Sequence, residues 1–253
     1  MRYKFKHKPY EHQLEALKKG WNKPYFALFM DMGTGKSKVL IDNMCILYDN
    51  GHIDSALIIA PKGVYGNWHH KELPTHLPDH VQSTVVSWSP NKTQKKQKEL
   101  ETLWQVSDKL KIFIMNVEAL STKRGMEIAD KFLLLTKAML VVDESTTIKS
   151  RTAARTKNLI KLGQKAPYRR ILTGSPITKS PLDLFTQCEF LEHQVLRQSS
   201  FWAFQNRYAK MMRRTLGSHS FNQILGYQNL DELNDIISPF SYRVRKEDCL
   251  DLP

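Results

Sequence analysis

A glycine-rich stretch between two patterned segments constrains the fold of this chain more than any other feature. It lies in YFALFMDMGTGKSKVLIDNM, residues 25–44. The apolar run Tyr25–Met30 predicts a strand, and the segment after Gly35 predicts an amphipathic helix. A strand, a glycine-rich turn and a helix, in that order, are the setting in which such a loop binds phosphate. The strict pattern has glycine six positions before Lys36, where this chain has Met30.

The residues of this loop have predicted contacts with a nucleotide. We expect the backbone N–H groups of Gly33, Thr34 and Gly35 to wrap the β-phosphate, helped by the positive end of the following helix. Lys36 is expected to reach the β- and γ-phosphate oxygens, and the Ser37 hydroxyl to ligate Mg²⁺. The predicted nucleotide-binding residues of the loop are Met32, Gly33, Thr34, Gly35, Lys36 and Ser37.

A second part of the predicted site follows the apolar strand Met139–Asp143, which ends in paired carboxylates. We expect Asp143 to hold Mg²⁺, usually through water, and Glu144 to orient and deprotonate the attacking water. An Asp-Glu pair after a strand usually marks only a solvated loop, but together with a phosphate loop it becomes specific. The two motifs predict an ATPase-type site that uses ATP and Mg²⁺. Its expected catalytic residues are Lys36, Asp143 and Glu144, and its metal ligands are Ser37 and Asp143.

Strands and helices alternate along the chain, which predicts an α/β fold with a parallel sheet and helices on both faces. Apolar runs such as ALIIA and KIFIMN are typical of strands that are buried on both sides. The predicted strands are Tyr25–Met30, Ala56–Ala60, Thr84–Trp88, Lys111–Asn116, Met139–Asp143 and Arg169–Thr173. The predicted helices lie near Lys36–Tyr48, Asn67–Leu73, Lys92–Gln105, Ile128–Leu135 and Ala153–Leu162. After Thr173 the pattern is mainly helical, through PLDLFTQCEFLE, FWAFQNRYAKMMRR and NLDELNDIIS, which predicts a helical C-terminal protrusion.

The chain is strongly basic, with a net charge of +13 and a pI near 9.6, which favours a polyanionic partner such as nucleic acid. Charge alone is weak evidence, because many basic proteins are simply soluble. No apolar run approaches the roughly 18 residues of a membrane span, and the N-terminus lacks the apolar centre of a signal peptide. We therefore expect no membrane partner and a cytoplasmic location. The widely separated Cys45, Cys188 and Cys249 indicate reduced thiols rather than disulfides or zinc ligands.

Two other clusters have structural interpretations that we prefer to functional ones. The histidines of HHKELPTHLPDH lack a zinc spacing and are interrupted by prolines, which favours a solvated helix end. The aromatic stretch FWAFQNRY, residues 201–208, has helical spacing. It favours packing inside the helical protrusion over a platform for stacking bases.

Taken in order, the motifs resemble those of superfamily-two helicases and translocases, specifically the first RecA-like domain of the Swi/Snf-like branch. DMGTGKS resembles motif I in its relaxed form, VVDEST motif II, and RRILTGSPITKSPLDLF motif III with its continuation. ALIIAPKGVYGNWHHKE is similar to the family segment that ends in a Trp followed by a Glu, here Trp68 and Glu72. KPYEHQLEAL resembles the adenine-reading Q motif, IFIMNVEAL the strand and turn that face the DNA backbone, and ISPFSYRVRKEDCLDLP the segment leading toward a second domain.

The resemblance implies further site residues. In the Q motif it implies that Gln13 pairs with the adenine edge and that Tyr10 packs beside it. Double-stranded DNA is the implied partner, held by phosphate contacts that position the protein without reading sequence. The implied DNA contacts are Lys62, Gly63, Asn116, Val117, Lys149 and Arg151. The residues implied to couple the ATP and DNA sites are Thr173, Gly174 and Ser175. For Lys149 and Arg151, a solvated basic turn is an equally good interpretation.

The resemblance also sets two expectations that concern departures from the family pattern. Thr146 stands where most relatives have His, so the usual link from motif II to motif III is expected to be altered. The family completes its ATP site with arginines from a second RecA-like domain, which we do not find before Pro253. We therefore expect these 253 residues to bind ATP but to hydrolyse it poorly alone. The expected domains are an ATP-binding core (1–189), a helical protrusion (190–240) and an exit segment (241–253).

The function that the resemblance implies is ATP hydrolysis that drives movement on duplex DNA, by a helicase or translocase. One alternative is the motor portion of a restriction-type system. Another is a nucleotide- or DNA-binding scaffold without turnover of its own. The compact loops suggest a phage or bacterial source, hence a host or bacterial cytoplasm, and a nuclear location only for a eukaryotic protein. The oligomeric state stays open.

Overall fold

A computed structural model describes residues 3–216 and 219–249. Nine strands and ten α-helices lie in these ranges, together with short 3₁₀ and π turns. The strands are β1 (Tyr25–Met30), β2 (Ser55–Ala60), β3 (Ser83–Ser87), β4 (Leu110–Asn116), β5 (Ala138–Asp143), β6 (Tyr168–Thr173), β7 (Ala209–Leu216), β8 (His219–Tyr227) and β9 (Ser241–Val244). The helices are α1 (Glu11–Gly20), α2 (Lys36–Asp49), α3 (Tyr65–Asn67), α4 (Leu73–His76), α5 (Gln94–Glu101), α6 (Lys123–Leu135), α7 (Ala154–Gly163), α8 (Leu184–Leu191), α9 (Phe201–Tyr208) and α10 (Leu230–Ile237).

Seven strands form one sheet in the order β3-β4-β2-β5-β6-β1-β9, and every neighbouring pair is parallel. All six strands predicted from sequence are present, each within one residue of its predicted bounds. Apolar side chains from alternate positions enter two cores, one on each face of the sheet. Helices α1 and α2 cover one face, and α6 to α10 contribute to the core on the other face. The predicted α/β fold with a parallel sheet and helices on both faces is confirmed.

The segment after β6 differs from the prediction. The predicted helix through AKMMRR is wrong, because residues 209–216 form β7, which pairs with β8 in a separate antiparallel sheet. Ala, Lys, Met and Arg all have good helix propensity, and strand pairing overrides it here. The predicted protrusion therefore contains a hairpin between α9 and α10. The first four residues of the predicted exit segment, Ser241–Val244, form β9 at the edge of the main sheet beside β1. Its last four residues, 250–253, lie outside the described residues.

The sheet order places the predicted site motifs side by side. The phosphate loop follows β1, motif II follows β5, and motif III follows β6, which lies between them. Because all three strands are parallel, the three loops meet at the C-terminal edge of the sheet. No helix among the residues 3–216 and 219–249 is long and apolar enough to cross a membrane.

Candidate functional site

The phosphate loop is built from two glycines in the left-handed backbone region. Gly33 has φ of 87° and Gly35 has φ of 83°, a region that strongly favours glycine. Gly35 also caps the start of α2, and a Cβ placed there would lie 2.3 Å from the amide nitrogen of Gln13. Thr34 between them is buried, and its hydroxyl donates to the Asp31 carbonyl over 2.7 Å. The loop therefore presents the first N–H groups of α2 at the sheet edge, where an anion binds well.

The Lys36 side chain is held against the carbonyl groups of its own loop. Its Nζ donates to the Met30 carbonyl at 2.7 Å and to the Asp31 carbonyl at 3.1 Å. Burial lowers the pKa of Lys36, and the nearby Asp143, Glu144 and Asp31 oppose that shift. An anionic ligand would stabilise this half-buried ammonium, because its negative charge would replace the solvation that the ammonium loses on burial.

Asp143 lies at the end of β5 with both carboxylate oxygens engaged. The Trp68 indole Nε1 donates to Oδ2 at 2.8 Å, and the backbone N–H of Glu144 donates to Oδ1 at 3.0 Å. Burial raises the pKa of Asp143, and the Trp68 hydrogen bond lowers it in part. A bound cation would favour the ionised carboxylate, as the predicted Mg²⁺ role requires. Sequence reasoning noted Trp68 as a family feature but gave it no contact with the site.

The Glu144 side chain is positioned by two threonine hydroxyls. Thr173 Oγ1 donates to Glu144 Oε1 at 2.7 Å, and Thr146 Oγ1 donates to the same oxygen at 2.9 Å. The register of β5 against β6 pairs Asp143 with Leu172, which brings the next residues of the two strands together. Glu144 itself adopts φ of 52°, a strained conformation for a residue with a side chain. Neither hydroxyl donates to Oε2, the other oxygen of this carboxylate.

The altered position in motif II therefore has a specific contact. Thr146 stands where most relatives are expected to have His, and its hydroxyl reaches the Glu144 carboxylate instead of motif III directly. Thr173 of motif III reaches that same carboxylate. The link between the two motifs thus passes through Glu144, and sequence reasoning did not predict this route.

A second link joins motif II to the motif III turn through Gln187 on α8. The Ser145 hydroxyl donates to Gln187 Oε1 at 2.6 Å, and Gln187 Nε2 donates to the Pro176 carbonyl at 2.8 Å. Within the turn, the Ser175 backbone N–H donates to Thr173 Oγ1 at 3.2 Å. Of the predicted coupling residues, the buried Thr173 and the exposed Ser175 therefore belong to a polar network that also includes Glu144. Gln187 was not predicted as a site residue, because it lies in α8 and its sequence pattern does not distinguish it from other helix residues.

Gly174 and Asp31 bring the phosphate loop into contact with two other segments. A Cβ on Gly174 would lie 3.5 Å from the backbone of Asp31, so the motif III turn packs against the loop. The Asp31 backbone N–H donates to the Val244 carbonyl at 3.0 Å, and its carboxylate accepts from the Lys246 backbone N–H at 3.0 Å. Asp31 thus tethers the loop to the segment after β9.

A cleft of about 720 Å³ opens between the motif III turn and the segment that contains β9. Its lining includes Asp31 on the phosphate-loop side and Arg243, Arg245, Lys246 and Glu247 on the other side, where Arg245 pairs with Glu247 at 3.1 Å. With three cations and two carboxylates, the lining keeps a small positive excess, which favours anionic groups next to the phosphate loop.

The Gln13 side chain binds the protein itself in this structure, and its expected adenine contact stays a prediction. Its side chain is 3% exposed, its Oε1 accepts from the Tyr10 backbone N–H at 3.1 Å, and its Nε2 donates to the Thr34 carbonyl at 3.1 Å. Both ends of the amide therefore bind the protein, and Gln13 joins α1 to the phosphate loop. His12 makes a similar bond, from Nε2 to the Thr34 carbonyl at 2.8 Å. Tyr10 stays exposed and stacks on His12, so its adenine contact remains a prediction.

The predicted DNA contacts after β2 and β4 differ in accessibility. Lys62 and Gly63 are exposed in the loop after β2. Asn116 Oδ1 accepts from the Ala119 backbone N–H at 2.8 Å and so caps the following 3₁₀ turn. The Val117 side chain is buried in the core, which leaves only its backbone for a DNA contact. Of these four residues, Lys62 and Gly63 are the ones best placed to contact a phosphate.

Lys149 and Arg151, which follow motif II, have different surroundings. Lys149 donates to the Thr178 hydroxyl and lies 4.0 Å from an Asp183 carboxylate oxygen, so its charge is partly neutralised. Arg151 is exposed, and its guanidinium lies 4.8 Å from the ring centres of both Phe201 and Trp202. Aromatic contacts of this kind restrict the guanidinium while leaving its charge available. Arg151 is thus the better candidate for a phosphate contact.

Metal binding by protein side chains alone is not supported by the described part of the chain. Within it, no group of three or more His, Cys, Asp or Glu side chains could hold a metal ion. Because Asp143 and Ser37 supply few ligands, Mg²⁺ would need water and phosphate oxygens to complete its shell, as it commonly does with ATP. The residues present fit Mg²⁺ that arrives together with a nucleotide.

Comparisons with known proteins agree with this geometry. Residues 20–253 match the family model described as SNF2-related domain. A solved Sulfolobus solfataricus SWI2/SNF2 ATPase core in complex with dsDNA matches 100% of this chain with a TM-score of 0.74 and 23% identity, and the match covers 48% of that chain. At that identity the likeness concerns the fold.

Two curated relatives are similar over part of the chain. The mouse protein named DNA annealing helicase and endonuclease ZRANB3 is 35% identical over 112 residues, which are 44% of this chain and 10% of the mouse protein. The Schizosaccharomyces pombe chromatin-remodeling ATPase INO80 is 26% identical over 219 residues, which are 84% of this chain and 13% of the yeast protein. The chain therefore matches about a tenth of the length of these relatives.

Proposed function

This chain belongs to the SNF2-related domain family, and from that membership we propose that it binds ATP with Mg²⁺ and couples ATP hydrolysis to movement along double-stranded DNA. The observation that carries the proposal is the convergence of Lys36, Asp143 and Glu144 at one edge of the sheet. The hydroxyls of Thr146 and Thr173 both orient Glu144 through a single carboxylate oxygen. That geometry suits a general base whose other oxygen must face water.

In this proposal each side chain of the site has one task. Lys36 leaves the carbonyls of Met30 and Asp31 and donates to the β- and γ-phosphate oxygens. Asp143, aligned by Trp68, would ligate Mg²⁺ directly or accept a hydrogen bond from one of its waters. Glu144 takes the proton of the attacking water, and Ser37 supplies a hydroxyl to the metal. Mg²⁺, when bound, would add its charge to that of Lys36 in neutralising the transferred phosphoryl group.

We also propose that hydrolysis needs arginines from a second RecA-like domain. The cleft beside the phosphate loop is lined by segment 243–247, which follows the edge strand β9. Because Lys246 binds the Asp31 carboxylate through its backbone N–H, a movement of this segment would reach the phosphate loop directly. Loss of an arginine of this kind typically costs about 10³–10⁵ in rate.

DNA would be held through phosphates at the same edge of the sheet. Lys62 and Arg151 are exposed there, and the chain carries a net charge of +13. Phosphate contacts of this type supply most of the non-specific affinity and weaken as salt rises. Movement along duplex DNA without regard to sequence requires contacts of this kind.

Two substitutions test the proposed roles in the ATP site. Lys36→Ala should lower ATP affinity at least 100-fold, whereas Glu144→Gln should retain ATP binding and stop its hydrolysis, because general-base catalysis contributes about 10²–10⁴. Binding is measured with a fluorescent ATP analogue and hydrolysis by phosphate release, with the exposed Lys161→Ala as the control. Unchanged turnover in Glu144→Gln would refute the assignment of the base.

A further inference from the structure

The hairpin formed by β7 and β8 is separate from the main sheet. Its register pairs Arg214 with Phe221 and Met212 with Gln223, and it has one irregularity between Lys210 and Met211. At about 3.4 Å per residue, an eight-residue strand extends roughly 25 Å. The hairpin therefore reaches well beyond α9, the helix from which it starts.

The base of the hairpin is fixed by a polar network. Arg207 and Tyr208, the last residues of α9, both bind the Glu232 carboxylate on α10, the tyrosine hydroxyl at 3.0 Å. On the returning strand, the Gln228 backbone N–H donates to the Tyr208 carbonyl at 3.0 Å, and Asn229 Nδ2 donates to the Arg207 carbonyl at 2.8 Å. Because both strands are tied at the base, the hairpin holds a defined direction relative to α9 and α10.

The two faces of the hairpin have different surroundings. Ile224 on one face packs against the main core. The register places Met212, 42% exposed, and Phe221, 50% exposed, on the other face, and Leu225, 55% exposed, lies at the irregularity beside Ile224. Burial of apolar surface is favourable, so these side chains would be more stable in contact with a partner than in water. Such a patch indicates contact with a partner.

The charge on this hairpin narrows the choice of partner. Residues 193–230 contain no Asp or Glu, although the chain has 25 of them. Lys210, Arg213 and Arg214 are all exposed, and none of the three forms a salt bridge within the described residues 3–216 and 219–249. Unpaired cations next to an exposed aromatic ring are the combination that binds nucleic acid through phosphates and stacked bases.

We propose that this hairpin binds DNA at positions where bases are unpaired, such as the junction between duplex and single strand. A blunt duplex exposes phosphates and base edges but hides its base faces, so Phe221 and Leu225 would gain little from it. Unpaired bases offer those faces, while Arg214, the cross-strand neighbour of Phe221, contacts the adjoining phosphates. The inference rests on the proposed DNA binding and adds a preferred DNA structure to it.

The position of α9 supports contact with the same DNA that the sheet edge would hold. Helix α9 begins at the aromatic pair beside Arg151 and ends where the hairpin begins. Eight helical residues span about 12 Å, which is the length of three to four base pairs. A duplex held near Arg151 would therefore have its junction within reach of the hairpin.

The test compares three DNAs of shared sequence, a fork, a single strand and a blunt duplex, by fluorescence anisotropy with the full-length gene product. Phe221→Ser should weaken binding to the fork and the single strand about fivefold to tenfold and leave the blunt duplex within about twofold. Arg214→Gln should weaken all three and reduce the salt slope by about 1. Lys161→Gln, an exposed cation on α7, is the matched control and should have no structure-dependent effect. Each replaced side chain is exposed, and thermal melting checks that the variants are folded.

Three results would overturn the inference. Equal losses on all three DNAs for Phe221→Ser would show that no base face is contacted. Wild-type binding by both hairpin variants would remove the hairpin from the DNA site while leaving the proposed function intact. Self-association that Phe221→Ser abolishes, with DNA binding unchanged, would identify a protein contact instead. Absence of DNA binding by the unmodified protein would reject the proposed function as well.

Discussion

Replacement of Thr173 by Val tests how Glu144 is oriented. Valine has nearly the same shape as threonine, so the buried packing at the end of β6 is retained. The change removes the 2.7 Å bond from the Thr173 hydroxyl to Glu144 and the 3.2 Å bond from the Ser175 backbone N–H. Glu144 then keeps only the Thr146 hydroxyl. A carboxylate held by one donor explores more orientations than one held by two.

The expected loss of kcat in Thr173→Val follows from the strength of a hydrogen bond to a charged group. Such bonds contribute about 1.5–3 kcal/mol, and about 1.4 kcal/mol corresponds to a tenfold change in rate. If the bond acts through the orientation of the base, kcat should fall about tenfold to a hundredfold. KM for ATP should change less than about threefold, since Thr173 is buried and touches no predicted phosphate ligand.

The assay is steady-state ATP hydrolysis by the full-length gene product at saturating DNA. Thr173→Ser retains the hydroxyl and should recover most of the lost kcat, and Thr146→Val should show a loss of the same kind. A Thr173→Ser variant as slow as Thr173→Val would refute the hydroxyl contact as the cause. So would a Thr173→Val effect that appears in KM rather than kcat.

Two further substitutions address charge and stability. Trp68→Phe removes the indole donor that lowers the pKa of Asp143, so the acid limb of the kcat/KM profile should move to higher pH. If the acid limb stays at the same pH, the hydrogen bond from Trp68 does not control the pKa of Asp143. Arg170→Met should lower the free energy of unfolding in urea by about 3 kcal/mol, because the fully buried guanidinium binds the Asn43 amide oxygen and two backbone carbonyls at the end of α1. A loss below about 1 kcal/mol would contradict the importance of that network.

The Asp143 shift has a defined consequence for stability. Burial raises the folded-state pKa of this carboxyl above its unfolded value. Its contribution to stability is therefore fully present below the unfolded pKa and is lost as pH rises through the folded pKa. When Asp143 is ionised it costs folding free energy, which a bound cation would offset.

The sheet and the phosphate loop were predictable because their signals are local. Tyr25–Met30 is an apolar run bounded by Pro24 and the loop, and the observed β1 has the same bounds. The helix after Gly35 begins at Lys36 as predicted. Such signals depend on neighbouring residues alone, so no knowledge of the tertiary structure is needed.

The contacts that position Glu144 depend on strand order, which the sequence pattern does not contain. Thr173 meets Glu144 only because β6 lies between β5 and β1 and pairs Leu172 with Asp143. Trp68 reaches Asp143 from a segment 75 residues away in the chain. The four-residue strand β9 has no apolar run of its own and is defined by pairing with β1. Long-range pairing decides each of these features.

We propose, as the central point of this account, that this chain supplies the ATP site of a DNA-driven motor and that a second RecA-like domain completes that site. The most direct measurement is the ATP hydrolysis rate with and without duplex DNA, for these 253 residues alone and for the full-length gene product. We predict strong stimulation by DNA in the full-length product and little turnover by the 253 residues at any DNA concentration. Rapid hydrolysis by the 253 residues alone, with wild-type dependence on Glu144, would contradict the need for a second domain.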